Sequence, residues 1–436
     1  MPAPVISMFN LKGGVGKTTA THLLSWALAR SGVKVLVFDL DAQMSISWTM
    51  MCREAYSRNQ SWTEFMKDKE TIYTAINNIS SDNLVAHTVN IMECGSGKID
   101  LCLGDSRLVR HESNLIQRIY SRLLSDDDRV VIALPIIIEK TAERLGSQVV
   151  LLDLNPSYSA TNRLALATSQ FLIIPCFFDA FSANGIDQMK DYLIPDIFSK
   201  AYNNESLTNQ RALFKKINDH KNNKNMPKGV LDNWRFPQPN LKVMGVCFNK
   251  FPYRGTKISS AYERKRSIIL EAMRGFLTDL PDDCVVQSRQ NLSDEKLLEN
   301  WTIYEIGDTG TNGINASELS IPAPFLTRSV ARLFSFHMTF TSTRFEWRVK
   351  SMEAAKIICY HMGIPYSPQA AKVLINAPDL QDDVKDLFNR YVSAEPSLTN
   401  QQAYGSVDNF ADLPAEEEAI EHAWQKRQRR LEQNKE

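Results

Sequence analysis

The sequence lacks the features that would place the chain outside the cytosol. Its seven cysteines lie far apart and form no C-x-x-C pair, which argues against a zinc site or a disulfide framework. No apolar run approaches the ~20 residues that a membrane-spanning helix needs. Only a few residues precede the first glycine-rich segment, so we expect no signal peptide. These absences predict a cytoplasmic protein.

The chain also lacks a net charge, because its 50 basic residues balance its 50 acidic residues. No global field therefore draws the protein to nucleic acid or to a membrane surface. Any such binding requires a local patch. At 436 residues with 43% hydrophobic side chains, the chain can bury a large core.

Short apolar runs alternate with amphipathic segments in the first half of the chain. This alternation predicts an α/β fold with a doubly wound, mostly parallel sheet. Several runs are apolar on both faces, as strands covered by helices on both sides require. The candidate strands are residues 5–9, 33–38, 99–103, 149–152, 171–175 and 243–248. Helical spacing over residues 18–30 predicts a helix between the first two strands.

The composition of the chain changes at two places. Residues 199–239 are polar and rich in lysine and asparagine, which indicates a basic insertion. Beyond about residue 338 the pattern becomes helical and several prolines interrupt it. We therefore predict a first domain over residues 1–337, which contains the insertion, and a C-terminal helical appendage over residues 338–436.

A glycine-rich segment joins the first predicted strand to the first predicted helix. Its residues are Lys12, Gly13, Gly14, Val15, Gly16, Lys17, Thr18 and Thr19. The backbone N–H groups of such a turn and the helix N-terminus can wrap a phosphate. We expect Lys17 to reach the β- and γ-phosphates of a nucleotide and Thr18 to ligate Mg²⁺. The segment therefore predicts a P-loop nucleotide-binding site.

This loop departs from the ordinary P-loop pattern. Leu11 occupies the position of the first glycine, and an additional lysine, Lys12, follows it. The arrangement resembles the deviant Walker A motif of the ParA/MinD family of ATPases, and within it the ParA-like partition ATPases. The resemblance implies Mg²⁺-dependent hydrolysis of ATP by a homodimer that encloses two nucleotides. It also implies that Lys12 reaches the ATP of the partner subunit.

Three carboxylates follow predicted strands. Asp39 and Asp41 follow the second strand, and Asp153 ends a later one; ligands of doubly wound sheets collect at these carboxyl ends. The segments resemble the family's second acidic motif and its Walker B strand, with Ala42 and Asn155 in place of prolines. The resemblance implies that Asp41 positions the attacking water, that Asp39 supports the Mg²⁺ shell and that Asp153 holds Mg²⁺ through water. Phosphoryl transfer mainly needs orientation and charge neutralisation, so one placed carboxylate can suffice.

Asn249 begins a segment that superficially matches the Asn-Lys-x-Asp guanine reader of GTPases. Pro252 occupies the position of the aspartate that would bind guanine, so the sequence favours adenine. The resemblance implies that Asn249 contacts the adenine edge. An asparagine that ends a strand in a turn is an equal alternative.

Basic residues cluster after this segment, as they do in family members that act on nucleoid DNA. The candidates are Arg254, Lys257, Arg264, Lys265, Arg266, Arg328 and Arg332. Such a patch would bind DNA phosphates without sequence specificity and with strong salt dependence. A solvated basic helix face would produce the same pattern. Residues 421–436 have no sustained apolar face, so we expect no membrane anchor.

Three functions remain open on this evidence. A ParA-like partition ATPase would bind DNA in its ATP state, associate with the nucleoid and use a centromere-binding or adaptor protein that stimulates hydrolysis. An ATP-switched assembly component would recruit an effector or cargo, for example in phage defence or cargo positioning. A P-loop metabolic ligase would need a further catalytic constellation, which the sequence does not contain. We favour the partition ATPase.

Overall fold

The computed structural model describes most of the first 193 residues and selected parts of the remainder. The described residues are 2–78, 84–94, 96–120, 129–177, 179–193, 197, 241–251, 253–254, 257–258, 260–286, 292–307, 320, 322, 324 and 342–364. The predicted insertion at 199–239 and most of the predicted appendage lie outside these residues.

An eight-stranded sheet forms the centre of the described fold. Its strands are β1 (Val5–Met8), β2 (Lys34–Asp39), β3 (Val89–Cys94), β4 (Gly97–Cys102), β5 (Val149–Asp153), β6 (Phe171–Cys176), β7 (Lys242–Phe251) and β10 (Thr302–Gly307); β8 (Tyr253–Arg254) and β9 (Lys257–Ile258) form a separate ribbon. The order across the sheet is β10-β7-β6-β1-β5-β2-β4-β3. Every neighbouring pair in it is parallel except β3 with β4. The predicted doubly wound, mostly parallel sheet is confirmed.

Helices cover both faces of this sheet. They are α1 (Lys17–Arg30), α2 (Ser45–Ser57), α3 (Trp62–Met66), α4 (Ile72–Asn77), α5 (Leu108–Tyr120), α6 (Arg129–Leu145), α7 (Ala160–Thr168), α8 (Ala180–Leu193), α9 (Ser260–Asp279), α10 (Asp294–Trp301) and α11 (Ser342–Met362). One core layer includes residues of α1, α2, α3 and α11, and the other includes residues of α4 to α10. Within β1, Val5 packs into one layer while Ile6 and Met8 pack into the other. Burial on both faces explains why the central strands read as unbroken apolar runs.

Helix α11 lies beyond the boundary that we placed after residue 337. Ala354 and Ile358 are fully buried in the core layer that α1 also covers. The helix contacts both α1 and β10, so it belongs to the packed core of the described fold. The division of the whole chain at this boundary stays a prediction.

Two further properties concern the thiols and the helices. Six cysteines are buried and form no disulfide among the described residues: Cys52, Cys102, Cys176, Cys247, Cys284 and Cys359. Burial raises the pKa of the Cys176 thiol to about 12, so this thiol stays protonated and unreactive near neutral pH. In the described part of the chain, no helix combines the length and the apolar character needed to cross a bilayer.

Candidate nucleotide-binding site

The glycine-rich loop joins the carboxyl end of β1 to the first turn of α1. Gly14 and Gly16 have φ angles of +74° and +85°, in the left-handed region that glycine adopts without a steric penalty. At the entry to the loop, Asn10 Nδ2 donates to Pro175 O at 2.9 Å, and Asn10 Oδ1 accepts from Lys12 N at 2.9 Å. Asn10 therefore fixes the start of the loop against the end of β6.

Lys17 lies inside the curve of the loop and is only 7% exposed. Its Nζ donates to Asn10 O at 3.2 Å and to Lys12 O at 3.0 Å. Burial lowers the pKa of Lys17 to about 8, and the nearby carboxylates Asp153 and Asp41 oppose this shift. The ammonium group is thus held by backbone carbonyls at the place where the phosphates are expected.

Thr18 and Asp153 form the core of the expected magnesium site. Thr18 Oγ1 donates to Asp153 Oδ2 at 2.8 Å, and Thr21 Oγ1 donates to Asp153 Oδ1 at 3.1 Å. Hydroxyl and carboxylate oxygens are ligands that Mg²⁺ prefers, and a bound Mg²⁺ usually keeps several waters. Among the described residues no group of three or more histidine, cysteine, aspartate or glutamate side chains could hold a metal ion. A cation here would therefore depend on Thr18, Asp153, water and the phosphates themselves.

Asp39 and Asp41 occupy different environments at the end of β2. Asp39 is fully buried and accepts from Asp41 N at 3.1 Å and from Ser47 N at 2.9 Å. Burial raises the pKa of Asp39 to about 8, and the charge of Asp153 adds to the shift. Asp41 Oδ1 accepts from Gln43 N at 2.9 Å, and its second oxygen has no hydrogen-bond partner among the described residues. Asp39 thus shapes the turn, whereas Asp41 has an oxygen available to a water molecule.

Lys12 points away from the interior of the loop. Its Nζ forms an ion pair with Asp179, whose other oxygen accepts from Ser182 N at the start of α8 at 2.7 Å. The same Nζ lies 5.3 Å from the centroid of the Phe181 ring, and Phe181 is 71% exposed. The two lysines of the loop therefore occupy different positions: Lys17 lies inside the loop and Lys12 lies nearer the surface.

Asn249 lies near the end of β7 and is buried against the loop. Its Nδ2 donates to Val15 O at 3.0 Å and approaches Gly16 O at 3.4 Å. Its Oδ1 accepts from the Tyr304 hydroxyl at 2.9 Å. Both polar ends of the Asn249 amide are thus engaged with protein groups.

The structure separates the predicted basic residues. Arg264 and Lys265 are exposed on α9, whereas Arg266 is partly buried and pairs with Glu305 on β10 at 3.2 Å. Arg266 is therefore turned toward the sheet edge rather than toward the exposed surface of its two neighbours. The remaining candidates are Arg254 and Lys257, which are register partners in the β8–β9 ribbon, and Arg328 and Arg332, which lie outside the described residues.

Four residues of this site were not identified from the sequence: Asn10, Ser47, Asp179 and Tyr304. Ser47 lies in α2, but Asn10 and Asp179 follow β1 and β6, and polar residues after parallel strands meet at one edge of a sheet. That rule could have indicated Asn10 and Asp179 as candidates. Tyr304 carries no such signal, because it lies within a strand and reaches the site only through Asn249.

Replacement of Asp153 by asparagine is expected to stabilise the nucleotide-free protein. Burial raises the pKa of Asp153 to about 7 from an ordinary value of 3.8. The folded state therefore binds this proton more tightly than the unfolded state, and stability is lost as the pH rises from about 4 through about 7. A neutral amide at this position carries no such cost, and the threonine hydroxyls can donate or accept. At pH 8 we expect the melting temperature of Asp153→Asn to rise by roughly 5 °C.

The measurement is thermal unfolding without nucleotide between about pH 5 and pH 8. The gain in melting temperature should shrink toward the acidic end. Asp105→Asn is the control of opposite sign: burial raises the pKa of Asp105, but hydrogen bonds from Arg107 and Thr71 outweigh burial and lower it. This variant should lose stability at pH 8. An Asp153→Asn protein that melts below the wild type at pH 8 would contradict the prediction.

Comparison with known families gives one match to a family model. Residues 3–208 match the AAA domain family. This segment contains β1 to β6 and therefore the loop, Asp39, Asp41 and Asp153.

Known proteins are similar to parts of the chain. An uncharacterized protein of Methanocaldococcus jannaschii, MJECL24, is 26% identical over 242 residues, which are 56% of this chain and 83% of the relative. An uncharacterized protein of Mycobacterium tuberculosis, Rv1708, is 30% identical over 209 residues, which are 45% of this chain but only 56% of the relative. The chain thus spans about half the length of the mycobacterial protein. A structure of pNOB8 ParA bound to nonspecific DNA is 15% identical, covers 83% of this chain and 99% of that chain, and has a TM-score of 0.41.

Proposed function

We propose that the chain is an ATP-driven switch of the ParA/MinD-like P-loop ATPases, and the match of residues 3–208 to the AAA domain family supports this proposal. In this proposal ATP binding closes a homodimer, the ATP state binds DNA without sequence specificity, and Mg²⁺-dependent hydrolysis releases it. A partner protein stimulates hydrolysis, as expected of a partition ATPase. The protein would act in the cytoplasm on nucleoid DNA.

The described residues have separate tasks in this proposal. Lys17 and the loop N–H groups hold the phosphates, and Thr18 and Asp153 hold Mg²⁺. The bound Mg²⁺ would neutralise phosphate charge. Asp41 orients water through the oxygen that has no described protein partner, while Asp39 keeps the turn in place through Ser47 N and Asp41 N.

The position of Lys12 is the observation that carries the dimer proposal. A lysine that served its own nucleotide would lie inside the loop, as Lys17 does. Lys12 instead lies at the surface, with its side chain 23% exposed beside the exposed Phe181. To reach a nucleotide in a second subunit, its ammonium group has to leave both Asp179 and the Phe181 ring. The Lys12–Asp179 ion pair is partly buried, with side chains that are 23% and 31% exposed, and in this proposal ATP in the partner displaces Asp179.

Gel filtration with light scattering tests the dimer proposal. Wild-type protein should elute as a dimer with ATP and Mg²⁺ and as a monomer with ADP. Lys12→Ala should remain monomeric with ATP while its affinity for the nucleotide stays within about threefold of the wild type, because its own loop keeps Lys17. Lys140→Ala is a matched control, since Lys140 forms a surface ion pair with Glu143. ATP-dependent dimers of Lys12→Ala would exclude the proposed role.

The exposed pair Arg264 and Lys265 supports the DNA part of the proposal. Both residues lie on α9, directly after the ribbon that contains Arg254 and Lys257. Surface cations held on a helix can neutralise DNA phosphates without reading bases. Arg266 is excluded from this surface because it pairs with Glu305.

Neutralising Arg264 and Lys265 together is expected to weaken ATP-dependent DNA binding by at least about tenfold at low salt. The slope of log K against log salt should become shallower by about 2, one for each lost phosphate contact. The measurement is fluorescence anisotropy with a random-sequence duplex in ATP and in ADP. Lys67→Gln with Arg110→Gln removes the same charge from exposed positions elsewhere and should have little effect. Equal losses in the two double variants would exclude a local patch.

A further inference from the structure

Asn249 and Tyr304 form a buried chain of hydrogen bonds that ends on the phosphate loop. Tyr304 is 3% exposed and Asn249 is 5% exposed. The carbonyls of Val15 and Gly16 can only accept, so the Asn249 amide must present its Nδ2 to them. The Tyr304 hydroxyl donates to Oδ1 on the other side at 2.9 Å. Burial raises the pKa of Tyr304 well above its usual range, so this hydroxyl keeps its proton.

Packing reinforces this contact. A Cβ atom at Gly16 would lie 2.7 Å from Asn249 Nδ2 and 2.9 Å from its Cγ. The amide therefore rests directly on the backbone of the loop, at a residue whose φ of +85° already favours glycine. Asn249 and the loop are therefore in close steric contact at Gly16.

Because peptide units are planar, this contact also sets the direction of the N–H groups that follow the two carbonyls. In a trans peptide the C=O of one residue and the N–H of the next point in opposite directions, and the described residues contain no cis peptide. When Asn249 holds the carbonyls of Val15 and Gly16, the N–H groups of Gly16 and Lys17 must point to the other side of the loop. Those N–H groups are the donors that are expected to bind the phosphates.

We infer that Asn249 and Tyr304 are positioning residues that hold the phosphate loop open for any polyphosphate, and that the Asn249 side chain does not select the base. Asn10 fixes the entry of the loop against β6, and Asn249 fixes its exit against β7. Tyr304 extends this second support to β10, at the edge of the sheet. The inference rests on the proposed function only because it requires the loop to bind phosphate; it requires neither dimerisation nor DNA binding.

Isothermal titration with ATP, GTP and inorganic tripolyphosphate, each with Mg²⁺, tests the inference. Tyr304→Phe keeps the ring but leaves a buried acceptor on Asn249 without its donor, and it should weaken all three ligands by the same factor, about tenfold. Asn249→Ala should show the same common loss. Asn249→Asp should also show it, although it preserves the shape, because a carboxylate cannot donate to the loop carbonyls. Tyr360→Phe, at an exposed position on α11, should bind like the wild type.

The outcomes separate positioning from base recognition. If Asn249 reads adenine, Asn249→Ala should change the ratio of ATP to GTP affinity and leave tripolyphosphate binding unchanged, which would overturn the inference. If Tyr304→Phe binds the three ligands with wild-type affinity, the positioning role of Tyr304 is overturned. A wild-type protein that binds none of the three ligands would overturn the phosphate site and this inference with it. Thermal unfolding of each variant identifies a protein that fails to fold, and Tyr304→Phe, which retains the buried ring, then provides the test.

Discussion

Lys17→Ala is expected to reduce the affinity of the protein for ATP with Mg²⁺ by at least about 100-fold. The wild-type ammonium is 7% exposed and is held by Asn10 O and Lys12 O. It is therefore oriented before the nucleotide arrives, and its charge-assisted bonds to phosphate oxygens are made in a site with little water. Alanine removes the charge and leaves a space that water must fill. Isothermal titration measures the loss, with Lys34→Ala at the exposed start of β2 as the control.

The same ammonium predicts how ATP binding depends on pH. Burial lowers the pKa of Lys17 to about 8 in the nucleotide-free protein, and phosphates bind the protonated form. Deprotonation of Lys17 should therefore make the affinity fall as the pH rises through about 8, with proton uptake by Lys17 on binding in that range. Titrations in buffers of different ionisation enthalpy measure this uptake. An affinity that does not change between pH 7 and about pH 9.5 would contradict the assignment of Lys17.

The sequence predicted the central strands because each of them is buried on both faces. β1, β2, β5 and β6 begin and end within one or two residues of the predicted ranges. Within the eight-stranded sheet, the strands that were not predicted, β3 and β10, are the two edges. Val89–Cys94 and Thr302–Gly307 mix polar and apolar residues, since an edge strand is only partly covered. Their patterns are therefore weaker than those of the centre.

The residues of the candidate site also differ in how far the sequence predicts them. Residues that contact phosphate or metal in the proposal lie in contiguous motifs, so spacing and resemblance located Lys17, Thr18, Asp41 and Asp153. Residues that hold those motifs in place act across long separations. Asp179 pairs with a lysine 167 positions away, and Tyr304 bonds an asparagine 55 positions away. No local pattern marks such contacts, because they exist only after the strands are ordered in the sheet.

Arg266 shows why composition alone did not define a DNA-binding surface. The sequence places Arg264, Lys265 and Arg266 together, but successive helical residues point about 100° apart. Arg266 consequently reaches Glu305 at 3.2 Å, whereas its two neighbours remain exposed. At most two of these three consecutive cations therefore face the same surface of the helix.

Asp41→Ala is expected to separate ATP binding from ATP hydrolysis. Asp41 lies at the end of β2 and is 8% exposed, with one carboxylate oxygen that has no partner among the described residues. Among the described residues no hydrogen bond joins Asp41 to the loop, so its loss should leave the affinity for ATP within about threefold of the wild type. Loss of the group that orients the water should slow hydrolysis by about 100-fold or more. The ATP-bound dimer should then persist through gel filtration without a further supply of ATP.

Asp41→Asn distinguishes the chemistry of Asp41 from its structural contact. Asp41 Oδ1 accepts from Gln43 N at 2.9 Å, and alanine removes this acceptor and loosens the turn by about 1 kcal/mol. Asparagine keeps an acceptor for Gln43 but is a poor base and a weaker dipole for water. Phosphate release should therefore be slow in both variants, while only Asp41→Ala should melt at a lower temperature. Hydrolysis at the wild-type rate in Asp41→Asn would mean that Asp41 acts only by holding the turn, and the water would then have to be oriented by another group.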